Sequence, residues 1–290
     1  MEFEFLMIWE SVESYEAIIR LTGFVGVFAV IALWEILAPR RRRGFSRWIR
    51  WPNNLGIIAL DTVVARLLFP TAAVGMALSA EQSGWGLFNL LAISGWLAVA
   101  LSVLILDLTI YLQHILMHAV PALWRLHRMH HTDPDCDVTT GIRFHPIEII
   151  ISMLIKLTVV GALGAPALAV LIFEVLLNVM AMFNHGNVQI PASLDRGVRL
   201  FIVTPDMHRV HHSVLPEETN SNFGFNLSAW DRLFGTYRDQ PRKGHRGMTI
   251  GINQFRTKRD LWLDKLLIQP FRDKTGRYAF TSNQSTIKNR

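Results

Sequence analysis

Long apolar runs separated by short polar segments dominate the chain up to residue 183. Residues 17–38, about 55–78 and about 87–110 are each long enough to cross a hydrocarbon core about 30 Å thick as a helix. Residues 147–183 form a longer apolar run that Gly164-Ala165-Pro166 interrupts near its middle, which predicts a helical hairpin entering and leaving the bilayer. The pattern therefore predicts an all-α, multi-span transmembrane helical bundle.

Two charged residues lie within the predicted hairpin. Lys156 and Glu174 are each nine residues from Ala165 in the sequence, on opposite sides of the turn. Equal distance from the turn puts them at similar depth, and ionisable residues inside a membrane usually face a partner or a cavity. We predict that the two form an ion pair, with a role in lining a substrate path as the alternative.

Composition agrees with a membrane protein. Of 290 residues, 51% are hydrophobic and 18% are charged, below the roughly 25% that is usual for a soluble domain. The single cysteine, Cys136, excludes an intramolecular disulfide, a CxxC zinc ribbon and an iron–sulfur cluster. Residues 1–16 lack the basic region of a cleaved signal peptide, so we interpret the first apolar segment as a retained anchor.

The distribution of lysine and arginine predicts the topology. Six of them lie in residues 39–53, three in 110–146 and seventeen in 184–290, which is 26 of 29. The remaining three, Arg20, Arg66 and Lys156, fall within spans. Because basic residues concentrate on the cytoplasmic side, we predict a multi-pass protein of the cytoplasmic (inner) membrane, with its N-terminus outside and its C-terminus in the cytoplasm. This topology explains the net charge of +6 without nucleic acid as a partner.

The pattern divides the chain into three regions. Residues 1–110 hold about three N-terminal spans. Residues 111–240 form a cytoplasmic, helical, histidine-rich catalytic region that the hairpin at 147–183 interrupts. Residues 241–290 form a cytoplasmic C-terminal segment with an interfacial helix and a disordered tail after Tyr278.

Two segments of the polar part have apolar positions at helical spacing. They are residues 193–203 and 260–267, and the second contains Trp262. Each segment is predicted to be a helix that lies in the headgroup layer of the membrane. Ordinary packing onto the cytoplasmic domain is an equally good interpretation of the same spacing.

Histidines form the most unusual pattern in the chain. Ten of the eleven lie between residues 114 and 212, and only His245 lies outside. The spacings are i, i+4 in one HxxxH motif and i, i+3, i+4 in two HxxHH motifs, so each motif places its imidazoles on one side of a helix. The ten are His114, His118, His127, His130, His131, His145, His185, His208, His211 and His212.

The number of histidines indicates more than one metal ion. A structural zinc site needs four ligands and a catalytic one usually needs three. Ten imidazoles can supply two metals with about five ligands each and leave an open position, which favours catalysis. Imidazole suits iron, copper, nickel and zinc alike, so ligand chemistry alone does not identify the metal.

The flanking residues predict short helices for both HxxHH motifs. Pro121 is placed to start the first helix and Asp133-Pro134 to end it, so its histidines lie in the last turn, where the helix dipole favours a cation. Thr204 and Pro205 are placed to begin the second helix, as N-cap and first helical residue.

Several polar residues are candidates for orienting the ligand imidazoles. Asp107 lies seven residues before His114, on the same helix face. Asn184, Asp206 and Glu148 are further candidates for the same role. A helix cap or a surface hydrogen bond explains each of these four equally well.

Together these motifs resemble the fatty acid hydroxylase/sterol desaturase superfamily of membrane di-iron enzymes. The resemblance covers about residues 107–237. Besides the histidine motifs it includes Leu123-Trp124-Arg125-Leu126-His127, Thr139-Thr140-Gly141-Ile142-Arg143-Phe144-His145-Pro146, Asn184-His185-Gly186-Asn187, Asn222-Phe223-Gly224 and Trp230-Asp231-Arg232-Leu233-Phe234-Gly235-Thr236. It implies that spans anchor a cytoplasmic histidine domain, where two irons activate O2 to hydroxylate or desaturate a fatty acyl or sterol-like lipid.

The resemblance also implies a ligand set. It comprises His114, His118, His127, His130, His131, His185, His208, His211 and His212, with His145 either a tenth ligand or a supporting residue. Zinc is expected to replace iron in some purified samples, because it binds imidazole more tightly than Fe(II). The chain has no flavin, nicotinamide or haem motif, so a separate ferredoxin- or cytochrome-type donor must supply electrons. An acidic donor could dock on the basic cytoplasmic surface.

Two other functions fit parts of the pattern. A zinc-dependent membrane hydrolase, including an intramembrane protease, would use fewer ligands, and the chain has no HExxH motif. A metal transporter or metal-binding protein would need polar ligands near the middle of the bilayer, whereas these histidines cluster at and beyond the ends of the predicted spans.

Overall fold

The computed structural model describes residues 15–272, 276, 278 and 279. Within these residues the chain is helical, with three isolated β-bridges and no β-strand, which confirms the predicted all-α class. Residues 1–14 and most of the predicted disordered tail lie outside the described residues.

The helices follow the order of the apolar runs. They are α1 (Glu16–Leu37), α2 (Arg47–Leu68), α3 (Ala72–Ser83), α4 (Leu87–Leu90), α5 (Gly95–Ala119), α6 (Pro121–His131), α7 (Pro146–Leu163), α8 (Ala167–His185), α9 (Ala192–Val198), α10 (Pro205–His211), α11 (Pro216–Thr219), α12 (Ala229–Leu233), α13 (Gly244–Gly247) and α14 (Leu263–Ile268). Short 3₁₀ turns occur at Thr140–Ile142, Lys258–Leu261 and Gln269–Phe271.

Among the described residues, five segments are long and apolar enough to cross a membrane, as predicted. They are α1, the segment Arg47–Leu90 that contains α2, α3 and α4, and the helices α5, α7 and α8. At about 1.5 Å per residue, the 22 residues of α1 extend about 33 Å, enough for the hydrocarbon core. The protein is therefore an integral membrane protein.

The predicted boundaries of the second and third spans were wrong. The second was predicted at about 55–78, but α2 begins at Arg47, where the Ser46 side chain accepts a hydrogen bond from the Trp48 amide. The helix ends at Leu68, because Pro70 disfavours helical backbone in the residue before it. The third was predicted at about 87–110, but the left-handed backbone of Ala92 and Gly95 separates α4 from α5.

The predicted hairpin is confirmed. Its turn lies at Gly164, which has φ +64° and ends α7 in the left-handed conformation. A Cβ there would lie 2.6 Å from the Trp85 carbonyl oxygen, so the close approach also requires glycine. After the turn, α8 packs against α1, α3, α5 and α10, which makes it the central helix of the bundle.

The predicted ion pair within the hairpin is also confirmed. Lys156 Nζ lies 2.6 Å from Glu174 Oε1. Arg20 of α1, which the sequence pattern did not link to this pair, binds the other oxygen of Glu174 at 2.7 Å. The network therefore joins three spans.

A fully buried arginine connects α2 to the loop between α6 and α7. Arg50 donates two hydrogen bonds of 2.7 Å to Asp133 and one of 2.5 Å to Asp137. All three side chains have no exposed surface. Burial alone would raise the pKa of Asp133, but Arg50 and Arg143 hold that pKa well below its usual range.

The segments outside the spans pack onto the same bundle. Arg40, just after α1, forms an ion pair of 2.9 Å with Asp206 of α10. Leu266 of α14 is fully buried beside Ile57 and Met129. The predicted helix at 260–267 is thus confirmed in part as Leu263–Ile268, with Trp262 about half exposed. Its predicted place in the headgroup layer stays a prediction.

Candidate metal centre

Four helices bring nine of the ten predicted histidines to one end of the bundle. The last turns of α5 and α6, the C-terminus of α8 and the short helix α10 with its C-cap carry them. Pro121 begins α6 and Pro205 begins α10, while the Thr204 hydroxyl caps α10 by accepting from the Met207 amide, as predicted. All nine histidines are buried.

The nine histidines form two groups, which we call the five-histidine and the four-histidine group. The first consists of His114, His118, His127, His131 and His211, and the second of His130, His185, His208 and His212. Within each group the ligand nitrogens lie within 4.8 Å of one another. Each HxxHH motif contributes to both groups, so neighbouring histidines of one helix serve different groups.

Protein acceptors select the ring nitrogen that faces each centre. Five of the nine histidines place Nδ1 against an oxygen atom, which leaves Nε2 directed away from it. These pairs are His114 with Phe223 O (2.9 Å), His118 with Asn220 Oδ1 (3.1 Å), His127 with Glu148 Oε1 (2.7 Å), His185 with Ala181 O (2.6 Å) and His211 with Ser221 O (2.8 Å). A proton on Nδ1 leaves the Nε2 lone pair for a metal.

The Nε2 atoms face one another at ligand distances. His114 and His127 approach to 3.2 Å, and His130 and His185 approach to 3.0 Å. Two imidazole ligands about 2.1 Å from one metal would be separated by roughly 2.9–3.4 Å at angles between octahedral and tetrahedral. With their protons on Nδ1, His114 and His127 face each other with lone pairs only, and a shared cation removes that repulsion. The residues therefore fit bound metal ions.

Burial favours the neutral form of five histidines of this centre. Burial and neighbouring imidazoles lower the pKa of His130, His131, His208, His211 and His212, all of which lie outside the spans. A neutral imidazole has a free lone pair, whereas an imidazolium has none, so the low pKa favours metal binding.

His145 lies outside both groups. Its Nδ1 accepts a hydrogen bond of 3.2 Å from the Ile147 amide and caps α7, and its Nε2 lies 3.1 Å from the Leu267 carbonyl oxygen. Both ring nitrogens are thus engaged by backbone groups, which suits a supporting residue better than a ligand. His245, predicted to lie apart from the centre, has its Nε2 3.6 Å from Asp206.

Three predicted supporting residues contact groups other than the ligand imidazoles. Asp107 accepts hydrogen bonds from the Leu227 amide and the Trp230 indole, at 3.2 and 2.9 Å. Asn184 donates to the Phe225 carbonyl at 2.6 Å, and Asp206 binds Arg40 and Arg209. Asp107 and Asn184 thereby bind the segment that contains Phe225, Leu227 and Trp230.

Glu148 is the predicted supporting residue that contacts an imidazole. Its Oε1 accepts the 2.7 Å hydrogen bond from His127 Nδ1, and its side chain is buried. A carboxylate in this position fixes the orientation of the ring and raises its basicity as a ligand.

Replacing Glu148 with glutamine keeps an acceptor for His127 but removes the negative charge. We expect Glu148→Gln to weaken iron binding or activity roughly 10- to 100-fold. Iron retained against increasing chelator measures the affinity. Glu217→Gln, at a half-exposed site paired with Arg242, is the matched control and should retain iron as the wild type does. Equal iron retention in both variants would contradict this role of Glu148.

Sequence reasoning did not identify Asn220 and Asp231 as supporting residues. Asp231 accepts the amides of Phe223 and Gly224 at 2.7 and 2.8 Å and so holds the loop whose carbonyl orients His114. Asp231 lies in one of the motifs that carried the family resemblance, but its spacing from the histidines does not indicate its role. Backbone acceptors such as Phe223 O have no signal in the sequence at all.

The motif Thr139–Pro146 contains Gly141, a position where close packing requires glycine. A Cβ at this position would clash with the backbone of Ala181, whose carbonyl oxygen accepts from His185. Glycine therefore lets the 3₁₀ turn Thr140–Ile142 pack directly on the end of α8, and a larger residue would displace the acceptor of a ligand histidine.

A cavity of about 880 Å³ opens from the metal centre into the bundle. His114, His127 and His130 line it, and it extends between the spans to Arg20 and Phe69. Its walls combine apolar residues such as Ile149, Met153 and Leu177 with several charged side chains. This volume is in the range of sites that bind small organic molecules.

Comparison with known proteins identifies relatives with membrane-lipid chemistry. The chain is 34% identical over 232 residues to the ornithine lipid hydroxylase of Rhizobium tropici, covering 76% of this chain and 67% of that protein. It is 27% identical over 210 residues to the alkylglycerol monooxygenase of Xenopus tropicalis (70% and 45%), and 27% identical over 145 residues to the cholesterol 25-hydroxylase of Rattus norvegicus (49% and 47%). The chain thus spans less than half the length of these last two relatives. No solved structure matches the chain.

The chain also matches the sequence model of a protein family. The sequence model of the fatty acid hydroxylase family matches residues 99–236, which include all ten histidines of the predicted set and the motifs around them. This chain belongs to the fatty acid hydroxylase family of membrane oxygenases.

Proposed function

We propose that this protein is a membrane monooxygenase that uses two bound irons and O2 to hydroxylate a lipid. One observation carries the proposal: nine buried histidines form two groups of metal-ligand geometry at the end of a cavity that runs between the spans. The names of the relatives favour hydroxylation over desaturation, because all of those compared above are hydroxylases or monooxygenases.

Each part of the site has a role in this reaction. The five- and four-histidine groups would each hold one iron, and iron bound there would supply the redox chemistry for inserting oxygen from O2 into a C–H bond. Phe144 stacks on His130 at 4.5 Å between ring centroids and, with Ile142, helps to form an apolar wall of the cavity beside the ligands. Such a wall excludes water from the reacting carbon and limits side reactions.

The substrate reaches the site from the bilayer. The cavity is lined by residues of α1, α2, α5, α7 and α8, all of which belong to candidate spans, so a lipid can enter between helices without leaving the membrane. Because the Rhizobium tropici relative is an ornithine lipid hydroxylase, ornithine lipid is the first substrate to test.

Monooxygenation also needs electrons from a partner. We propose that a ferredoxin- or cytochrome-type protein supplies them at the cytoplasmic face, where the concentration of lysine and arginine supports a cytoplasmic metal centre and C-terminus. The basic residues of this face, including Arg242 and Arg259, offer a complementary surface for an acidic donor.

Metal analysis combined with labelled oxygen tests the proposed function. Protein from iron-replete cells is expected to contain about two irons per chain, and iron-loaded protein with a reductant is expected to convert a lipid of a total membrane extract into a product that carries label from ¹⁸O2. One zinc per chain together with turnover that requires no oxygen would contradict the proposal. It would support a zinc hydrolase instead.

A further inference from the structure

The acidic residues that line the cavity fall into two kinds. Glu16 and Glu174 are compensated, because Arg20 binds both and Lys156 binds Glu174. Asp61 and Glu148 are the two remaining acidic side chains of the lining, and within the described residues neither has a lysine or arginine partner.

Asp61 and Glu148 face the cavity from neighbouring helices. Asp61 lies on α2 and Glu148 lies in the first turn of α7, and these helices pack against each other. Their exposed fractions are 6% and 4%, and both line the cavity, Glu148 in contact with His127. Asp61 Oδ1 and Glu148 Oε2 are buried oxygens without a hydrogen-bond partner in the described structure. Both side chains therefore face one cavity from helices that are in contact.

Two buried carboxylates without a lysine or arginine partner are unfavourable, because each loses hydration and like charges in one cavity repel. The hydrogen bond from His127 offsets these costs only for one oxygen of Glu148. A bound cation would remove both costs, provided that it can donate hydrogen bonds to the free oxygens. An ammonium group satisfies this condition, since it carries a positive charge and three N–H donors for the two free oxygens.

We propose that Asp61 and Glu148 together bind an ammonium group of the lipid substrate. This inference rests on the proposed function and names the substrate class: a lipid with a primary amine in its polar head. The head group then lies at the histidine end of the cavity, beside His127, and the apolar chain extends along Ile149 and Met153. A lipid without the amine would leave both carboxylates uncompensated, so the pair selects against neutral head groups.

Asp61→Asn tests the proposal, because asparagine keeps the shape and removes the charge. The substrates are ornithine lipid and the same lipid acetylated on its amine, which is uncharged there. We expect the variant to lower kcat/KM for the amine-bearing lipid roughly 10- to 100-fold, the value of a charge-assisted hydrogen bond, and to leave the acetylated lipid nearly unaffected. Glu148→Gln is not used, because Glu148 also supports His127.

A binding measurement makes the test independent of turnover. Wild type and Asp61→Asn, both in phosphatidylcholine nanodiscs, are titrated with dodecylamine and with dodecanol while their unfolding temperature is recorded. Each amphiphile partitions into the nanodisc lipid equally in the two samples. A difference in the shift of unfolding temperature between wild type and variant therefore reports binding at the proposed site. Dodecylamine is expected to stabilise the wild type more than the variant, and dodecanol is expected to affect both equally.

The outcomes separate this inference from the proposed function. Wild type that oxygenates no lipid but binds dodecylamine through Asp61 contradicts the proposed function and keeps the ammonium site. Equal losses on both lipids, loss of iron from Asp61→Asn, or a wild type that binds dodecylamine no better than the variant would each overturn the ammonium site. Asp264→Asn, at an exposed ion pair with Arg259, is the matched control and should behave as the wild type.

Discussion

Replacing His130 or His211 with alanine is expected to abolish lipid oxygenation and to lower the iron that each chain retains. The two residues lie in different groups, His130 in the four-histidine and His211 in the five-histidine group, so each variant damages one metal position. Loss of a residue that only supports a ligand costs about 10- to 100-fold in affinity or activity, so loss of a ligand itself should cost more than about 100-fold. Product formation and iron per chain, measured on the same preparation, check this.

His245→Ala is the matched control for both variants. His245 is also a buried histidine, but it lies beside Asp206 and outside both groups. It is expected to keep both iron and activity. If His245→Ala lost activity while His130→Ala and His211→Ala kept it, the assignment of the centre would be overturned.

Replacing Arg50 with alanine is expected to destabilise the protein by about 3–5 kcal/mol. The substitution leaves Asp133 and Asp137 as buried carboxylates without their main cation, and a broken buried ion pair of this kind has that cost. Since Asp133 follows α6 directly, we also expect the His127–His131 helix to lose its fixed position. Denaturant titration of the purified protein in nanodiscs measures the change in the free energy of unfolding.

Arg259→Ala is the control for this prediction. Arg259 pairs with Asp264 at 2.7 Å, but the two side chains are 52% and 55% exposed, so water screens the pair. Its loss is expected to cost at most about 1 kcal/mol. Arg50→Lys should recover part of the stability, because lysine restores the charge without the second hydrogen bond to Asp133. Equal destabilisation by Arg50→Ala and Arg259→Ala would contradict this prediction, because burial of the Arg50 ion pairs would then add nothing to the free energy of unfolding.

Both predictions depend on how the packing of the helices brings the ligands of the metal centre together. His114 and His118 lie on a span, whereas His127 to His131 lie on a short helix after it, and both contribute to the five-histidine group. Packing of α6 against α5 and of α10 against α8 brings these segments together. The metal centre therefore joins the membrane bundle to the polar segments, and its loss should affect both.

Some features followed from the sequence because they depend on local chemistry. Apolar runs predicted five spans, Gly164 predicted the hairpin turn, and Pro121 and Pro205 predicted where two helices begin. Histidine spacing predicted a shared centre, because residues three and four apart face the same side of a helix. Local preferences of this kind act within a few residues, so they can be read without the fold.

Other features were decided by tertiary contacts. Which histidines share a group, the placement of His145 outside both, and the contact of Glu148 rather than Asp107 with an imidazole all depend on how α6, α7 and α10 pack. The same packing leaves Asp61 and Glu148 without a lysine or arginine partner among the described residues, while Arg20 and Lys156 neutralise Glu174. The sequence by itself determined the number of spans and the set of candidate ligands. Only the tertiary structure decided their partners, because the energy of a buried charge or imidazole depends on neighbours that are distant along the chain.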